Sequence, residues 1–194
     1  MKTDYQLILA SASPRRKELL AGLNIPFEVR LIDGIDETYP PELPTDEVPL
    51  YISQKKAAAY KANISPHTIV LTADTVVVCN EQILGKPIDE ADARRMLQML
   101  SGKTHRVITG VTFLVEGHSK SFSVATDVSF KPLSAAEIDY YIRTFKPFDK
   151  AGGYGIQEWI GYIGVTAING SYFNVMGLPV QRIYEELRTL GINI

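Results

Sequence analysis

The sequence predicts an α/β fold in which a mixed, twisted sheet is flanked by helices. Helical and β-rich segments alternate near both ends of the 194-residue chain, the pattern of a sheet with parallel strands. Two β-rich runs in residues 105–130 indicate an antiparallel pair in the middle of the chain. Hydrophobic residues make up 45% and charged residues 22%, which is ordinary for a soluble globular protein. We therefore expect one domain over residues 1–194.

The first half of the chain is expected to hold strands, helices and one long loop. In order, these are a strand over residues 5–10, a helix from Ser13, a strand over 27–32, an acidic proline-rich loop and a helix over 48–62. Ser13 and Pro14 are residue types that cap and begin a helix. The stretch TIVLTADTVVVCN predicts a strand pair or a bent strand, because Ala73 and Asp74 interrupt its apolar run.

The second half of the chain is also expected to contain helices, β segments and turns. In order, we expect a turn at GKP (85–87), a helix capped by Asp89, a hairpin turning at 116–119, a helix capped by Ser134, a glycine-rich loop, a short β region and a helix over about 179–190.

Charge and cysteine content limit the partners. The formal net charge is −2, whereas a protein that binds a nucleic-acid polymer through bulk electrostatics is usually basic. The lone Cys79 permits no internal disulfide, which favours a reducing compartment. No apolar run approaches the roughly 20 residues of a membrane span, and the N-terminal run is too short for a signal peptide. We expect a cytoplasmic protein that binds neither nucleic acid nor membrane.

The stretch SASPRR has the chemistry of an anion site. Backbone N–H groups and the positive end of the helix dipole suit phosphate, and Arg15 and Arg16 add forked donors. These arginines stand where the dipole repels cations, so a bound anion would compensate. The alternative is a capped helix with solvated arginines.

Five further residues are candidates for the chemistry of a site. Asp74 interrupts a β run, as a metal ligand or general base at a strand end does, although it can also start a turn. Lys86, between glycine and proline, can reach a phosphate as a point charge or be an exposed lysine. Asp36-Glu37 and Lys56 can complete a metal and phosphate site, although such residues are more often surface charges.

The glycine-rich stretch DKAGGYGIQEW lets the backbone approach a ligand closely. The amide of Gln157 in this stretch can read both the donor and the acceptor edges of a base. The alternative is a mobile loop without a ligand. SGKT at 101–104 is not a P-loop, because Leu97 stands where that motif needs glycine. The three histidines show no metal-ligand spacing.

Together these motifs resemble the Maf-type nucleoside triphosphate pyrophosphatases, once described as septum-formation inhibitors, over nearly the whole chain. The resemblance rests on LASASPRR, Asp36-Glu37, Lys56-Ala57, LTADTVV, GKP, LSGKTHRVITGV, ATDVSF, DKAGGYGIQ and GSYFNVMGLP.

The resemblance implies a fold with two lobes around a cleft, similar to the ITPase-like house-cleaning hydrolases. It implies cleavage between the α and β phosphates of a nucleoside triphosphate, with Mg²⁺ or Mn²⁺. Asp74 matches the proton acceptor, and Glu37, Lys56 and Lys86 match its other polar active-site positions. Glu37 and Asp74 would hold the metal. The phosphate-binding turn is matched by Ser11, Arg15 and Arg16.

The resemblance to the dTTP/UTP branch rests on Arg15, Thr75 and Gln157. Three alternatives stay open: the same reaction on 7-methyl-GTP, the same reaction on another modified nucleotide, or a nucleotide-binding regulator of cell division without turnover. The family is often dimeric, so a homodimer is left open as well.

Overall fold

The computed structural model describes residues 5–192, and at position 63 only the backbone. Within these residues seven strands form one sheet in the order β2-β1-β3-β5-β6-β7, and β4 pairs with β3. The strands are β1 (Gln6–Leu9), β2 (Phe27–Val29), β3 (Thr68–Cys79), β4 (Gln82–Leu84), β5 (Thr104–Val115), β6 (His118–Phe130) and β7 (Val165–Asn169). β1 pairs in parallel with β2 and β3, and β6 pairs antiparallel with β7. The predicted mixed α/β fold is confirmed.

Within residues 5–192, five helices lie between these strands and two follow the last strand. They are α1 (Pro14–Ala21), α2 (Val48–Tyr60), α3 (Glu90–Leu100), α4 (Ala135–Phe145), α5 (Trp159–Gly164), α6 (Tyr172–Met176) and α7 (Val180–Thr189). Short 3-10 turns cover Lys61–Asn63 and Ala151–Gly153. None of the helices in residues 5–192 combines the length and the apolar character that crossing a bilayer requires.

The chain divides into two compact units. Unit 1 is Met1–Asp74, Thr109–Val124 and Gly177–Ile194, and unit 2 is Thr75–Ile108 and Ala125–Met176. The prediction of a single domain stays a prediction.

In unit 1, α2 lies directly against the sheet. The hydroxyl group of Ser53 is 2.8 Å from that of Thr112 on β5, and Thr72 on β3 donates to the Ser53 carbonyl at 2.7 Å. A Cβ at Gly110 would lie 2.3 Å from the backbone nitrogen of Leu50, so only glycine permits this approach. These contacts fix the distance between α2 and β3, the two elements that carry Lys56 and Asp74.

In unit 2, α3 and α4 begin at side-chain caps. Asp89 accepts the N–H of Asp92 at 2.8 Å, and Ser134 forms a reciprocal capping box with Glu137. Their apolar faces contribute Leu97 and Ile138 to a core shared with β5 and β6. The predicted caps at Asp89 and Ser134 are confirmed.

The expected interruption of the β segment at Ala73 and Asp74 is wrong. β3 runs without a break from Thr68 to Cys79, because β-branched residues dominate it and the Asp74 carboxylate is paired with Lys56. The sequence also gave no sign of α5, α6 or β4. The predicted turn at residues 85–87 is wrong, because these residues are irregular. The tight turn lies between β3 and β4, at Asn80 and Glu81, both with positive φ.

Candidate active site

The connection between β1 and α1 in unit 1 is organised by two serines. Ser13 is the helix N-cap, and its hydroxyl oxygen accepts the N–H of Arg16 at 3.4 Å. The hydroxyl oxygen of Ser11 accepts the N–H of Ser13 at 3.3 Å. Pro14 has no N–H to offer. The predicted cap is confirmed, but fewer backbone donors are left for an anion than the motif indicated.

Arg16 is held by the protein itself. Its Nε donates to the Gly177 carbonyl and its Nη1 to the Ala73 carbonyl, both at 2.9 Å. Nη1 is also 3.4 Å from the Ser11 hydroxyl oxygen, to which it donates. Burial lowers the pKa of Arg16; nearby Asp74 opposes this shift and Arg15 adds to it. Arg16 therefore joins α1, β3 and the segment before α7, and it is not a solvated arginine.

Two carboxylates converge on the ammonium group of Lys56. Its Nζ is 2.8 Å from Oδ1 of Asp74 and 3.2 Å from Oε1 of Glu37. Lys56 and Asp74 are largely buried, with side chains 14% and 15% exposed, whereas the Glu37 side chain is 57% exposed. The three residues come from α2, β3 and the long acidic loop. This cluster combines a largely buried carboxylate, a fixed cation and an accessible carboxylate.

The acidic loop is tied to α2 beside this cluster. Nζ of Lys55 donates to Oδ2 of Asp36 and to the Thr38 carbonyl, both at 2.8 Å. Oδ1 of Asp36 accepts the Thr38 N–H at 2.9 Å. Hydrogen bonds from Lys55 and Thr38 hold the pKa of Asp36 well below its usual range. Asp36 thus shapes the loop that carries Glu37, and the sequence did not single out Lys55 for this contact.

The acidic residues are compatible with a divalent cation bound together with substrate. Residues 5–192 contain no group of three or more His, Cys, Asp or Glu side chains that could hold a metal by themselves. Glu37 and Asp74 already face one cation, the Lys56 ammonium, with hard oxygen atoms. Mg²⁺ is commonly bound by one or two carboxylates plus substrate phosphates, so this pair fits such an ion.

Unit 2 carries the other predicted residues. Thr75 is half-buried and follows Asp74 on β3, and Lys86 is exposed in the irregular segment between β4 and α3. The neighbouring Gly85 carbonyl accepts the N–H of Gly152 at 3.0 Å, which anchors the Lys86 segment to the glycine-rich stretch.

The glycine-rich stretch is a packed part of unit 2. Gly152 is buried, and a Cβ there would lie 2.9 Å from Cγ2 of Val77. The glycines serve internal packing, so the alternative of a mobile loop is not supported. Gln157, half-buried, has its Oε1 atom buried without a hydrogen-bond partner among the described residues.

One protein-family model matches nearly the whole chain. The family model described as "Maf-like protein" matches residues 6–190. The chain belongs to the Maf family.

Curated Maf-family relatives cover almost the whole chain. A protein of Phocaeicola vulgatus named dTTP/UTP pyrophosphatase is 60% identical over 96% of this chain and 96% of its own. Proteins with the same name from Parabacteroides distasonis and Bacteroides fragilis are 53% and 50% identical. The first of these covers 95% of both chains and the second 96% of both.

The residues predicted from the Maf resemblance lie in both units. Unit 1 contains Ser11, Arg15, Arg16, Glu37, Lys56 and Asp74, and unit 2 contains Thr75, Lys86 and Gln157. The structure shows two features that the sequence motifs did not indicate. These are the pairing of both Glu37 and Asp74 with Lys56, and the backbone contacts of Arg16.

Proposed function

We propose that this protein hydrolyses dTTP and UTP between the α and β phosphates, giving dTMP or UMP and pyrophosphate. The observation that carries the proposal is the convergence of Asp74 and Glu37 on the Lys56 ammonium. The proposal is supported by the name dTTP/UTP pyrophosphatase, which full-length relatives share. The site residues and their roles are part of the proposal.

Asp74 is proposed to accept the proton of the attacking water. The ion pair with Lys56 at 2.8 Å fixes the orientation of the carboxylate. As the water oxygen bonds to phosphorus, its proton passes to Asp74 and the anhydride P–O bond breaks. The electron pair of that bond leaves with pyrophosphate.

The substrate charge is proposed to be neutralised by side chains. A triphosphate brings about four negative charges, and the formal net charge of the chain is −2, so the cations must be local. In unit 1, Arg15 and Lys56 are the candidates for phosphate contacts, and Arg16 adds charge while fixing the backbone. In unit 2, Lys86 is exposed and makes no ion pair with any described residue.

Glu37 and Asp74 are the residues that would hold Mg²⁺ or Mn²⁺. When bound, the ion would supply positive charge at the phosphate oxygens and lower the pKa of a bound water. Glu37 has the exposure that such a role needs, since more than half of its side chain is open to solvent.

Gln157 is proposed to read the base. Uracil and thymine each present an N3–H donor between two carbonyl acceptors, and the unpartnered Oε1 of Gln157 can accept that N–H. A buried acceptor left unpaired by the wrong base costs binding energy, so the position selects against bases that lack this donor. Arg15 and Thr75 are the further specificity positions. A homodimer stays open.

A substrate panel tests the proposal. We would measure kcat/KM for dTTP, UTP, CTP, GTP, ITP and 7-methyl-GTP with Mn²⁺ or Mg²⁺, and repeat the assay after chelation and after metal is restored. We expect the highest values for dTTP and UTP, loss on chelation and recovery with metal. A preference for another nucleotide would refute the specificity. Binding of all nucleotides without turnover would favour the regulator.

A further inference from the structure

The hydroxyl group of Tyr141 contacts both ends of the turn that carries Gln157. The turn is Gly155–Glu158, closed by a hydrogen bond from the Glu158 N–H to the Gly155 carbonyl at 3.0 Å. The hydroxyl oxygen of Tyr141 accepts the Gly155 N–H at 2.9 Å, and the hydroxyl donates to Oε2 of Glu158. Tyr141 itself is fully buried on α4.

Lys150 completes this network from the other side. Its Nζ is 3.1 Å from Oε1 of Glu158 and 2.8 Å from Oδ1 of Asp149. Lys150 is buried, and a Cβ at Gly155 would lie 2.9 Å from Cδ of Glu158 and 3.0 Å from Cε of Lys150. The network therefore fits closely around the turn and leaves it little freedom.

A buried ionic network contributes less to stability than apolar packing of the same volume would. Taking Lys150 and Glu158 out of water costs desolvation energy that apolar side chains of similar size would avoid. What a satisfied buried network adds is a fixed geometry. Burial and the neighbouring Glu158 raise the pKa of Tyr141, so its hydroxyl stays a neutral donor.

We propose that Tyr141, acting with Glu158 and Lys150, is a positioning residue for base selection. It touches no substrate. It holds the Gly155–Glu158 turn and thereby fixes the position of Gln157, whose Oε1 atom is buried and has no hydrogen-bond partner among the described residues. This inference rests on the proposed reading of the base by Gln157.

The test is a ratio of specificities. For wild type and Tyr141→Phe we would measure kcat and KM for UTP and for CTP, whose N3 atom carries no proton. We expect the UTP:CTP ratio of kcat/KM to fall about tenfold, through a higher KM for UTP, with kcat for UTP little changed. Tyr140→Phe is the matched control, because it removes the hydroxyl of an exposed neighbour on the same helix. Its ratio should equal that of wild type.

A second pair of variants changes Glu158, the residue at the other end of the turn that the Tyr141 hydroxyl contacts. Glu158→Leu removes the acceptor for Tyr141 and should reproduce the loss of selectivity, whereas Glu158→Gln keeps an acceptor oxygen and should largely restore it. This pair decides the question if Tyr141→Phe does not fold. A folded Tyr141→Phe with an unchanged ratio, or with equal losses for both nucleotides, would overturn the inference.

Gln157→Ala separates this inference from the proposed function. If Gln157→Ala lowers the UTP:CTP ratio and Tyr141→Phe does not, the base-reading role stands and the inference about Tyr141 fails. If Gln157→Ala leaves the ratio unchanged, the base-reading role itself is wrong, and the inference falls with it.

Discussion

The ammonium nitrogen of Lys56 lies 2.8 Å from Oδ1 of Asp74, and both side chains are at most 15% exposed. One residue is on a helix and the other is in the middle of a continuous strand. Glu37 reaches the same ammonium from a loop. This arrangement gives Asp74 a fixed orientation and explains why a carboxylate is tolerated within an apolar strand.

Asp74→Asn should abolish turnover and leave the fold intact. The amide oxygen can still accept a hydrogen bond from Lys56, but an amide cannot take a proton from water. We expect kcat to fall at least about 100-fold, the lower end for the loss of a general base. Steady-state kinetics and thermal unfolding measure the two effects. Asp127→Asn, on β6 in an exposed pair with Arg106, is the control and should keep its activity. A fully active Asp74→Asn would remove Asp74 from the mechanism.

Arg16→Ala should lower the stability of the protein. Arg16 donates to two backbone carbonyls, so its loss leaves partly buried acceptors unpaired and should cost about 1–3 kcal/mol in the free energy of unfolding. Arg15→Ala should lower kcat/KM. Denaturant unfolding of Arg16→Ala beside wild type, and kinetics of Arg15→Ala, test these expectations. Equal stabilities of Arg16→Ala and wild type would show that the contacts of Arg16 contribute little.

Gly152→Ala should destabilise unit 2 by more than the cost of its backbone conformation. Gly34 and Gly152 both have φ above +70°, but a Cβ at Gly152 meets Val77 and one at Gly34 meets nothing within 4 Å. Positive φ costs alanine about 1–2 kcal/mol, and overpacking adds about 1–3 kcal/mol. The difference between Gly152→Ala and Gly34→Ala in denaturant unfolding therefore isolates the clash. Equal losses would contradict the tight packing.

His105 should make the protein less stable in mild acid. Burial lowers the pKa of His105 to about 4 from its ordinary 6.5, and its Nε2 is 2.6 Å from the Tyr154 hydroxyl oxygen. Between these pH values the unfolded chain binds more protons than the folded one, so the free energy of unfolding falls as pH drops from 6.5 to 4. The full effect is about 3 kcal/mol.

His105→Phe keeps the ring between Phe130 and Tyr154 and removes the titration. Its midpoint of thermal unfolding should depend less on pH over that window than that of wild type. His118→Gln, at an exposed position, should keep the wild-type slope. An unchanged slope in His105→Phe would assign the acid sensitivity to other groups.

Local signals in the sequence were sufficient for the helix starts. The caps at Ser13, Asp89 and Ser134 were predicted because an N-cap depends on a few adjacent residues. The continuity of β3 was not predicted, because Asp74 is paired with Lys56, which lies on another element. α5 was missed because WIGYIG contains two glycines, which disfavour a helix.

The residues of the candidate site could be named from the sequence, but their arrangement could not. The Maf resemblance pointed to Glu37, Lys56 and Asp74, yet their convergence on one ammonium depends on three elements meeting in space. The role of Tyr141 had no sequence signal, since a tyrosine on a helix is ordinary core material until its hydroxyl is seen to hold a turn.

³¹P NMR of UTP turnover by the purified protein, with Mn²⁺ removed before acquisition, shows directly which anhydride bond is cleaved. Cleavage between the α and β phosphates, with Asp74 as the proton acceptor, should give pyrophosphate and UMP in equal amounts, and Asp74→Asn should form neither. Inorganic phosphate with UDP would place the cleavage at the other anhydride bond and contradict the proposed reaction. Product formation by Asp74→Asn at the wild-type rate would contradict the role of Asp74.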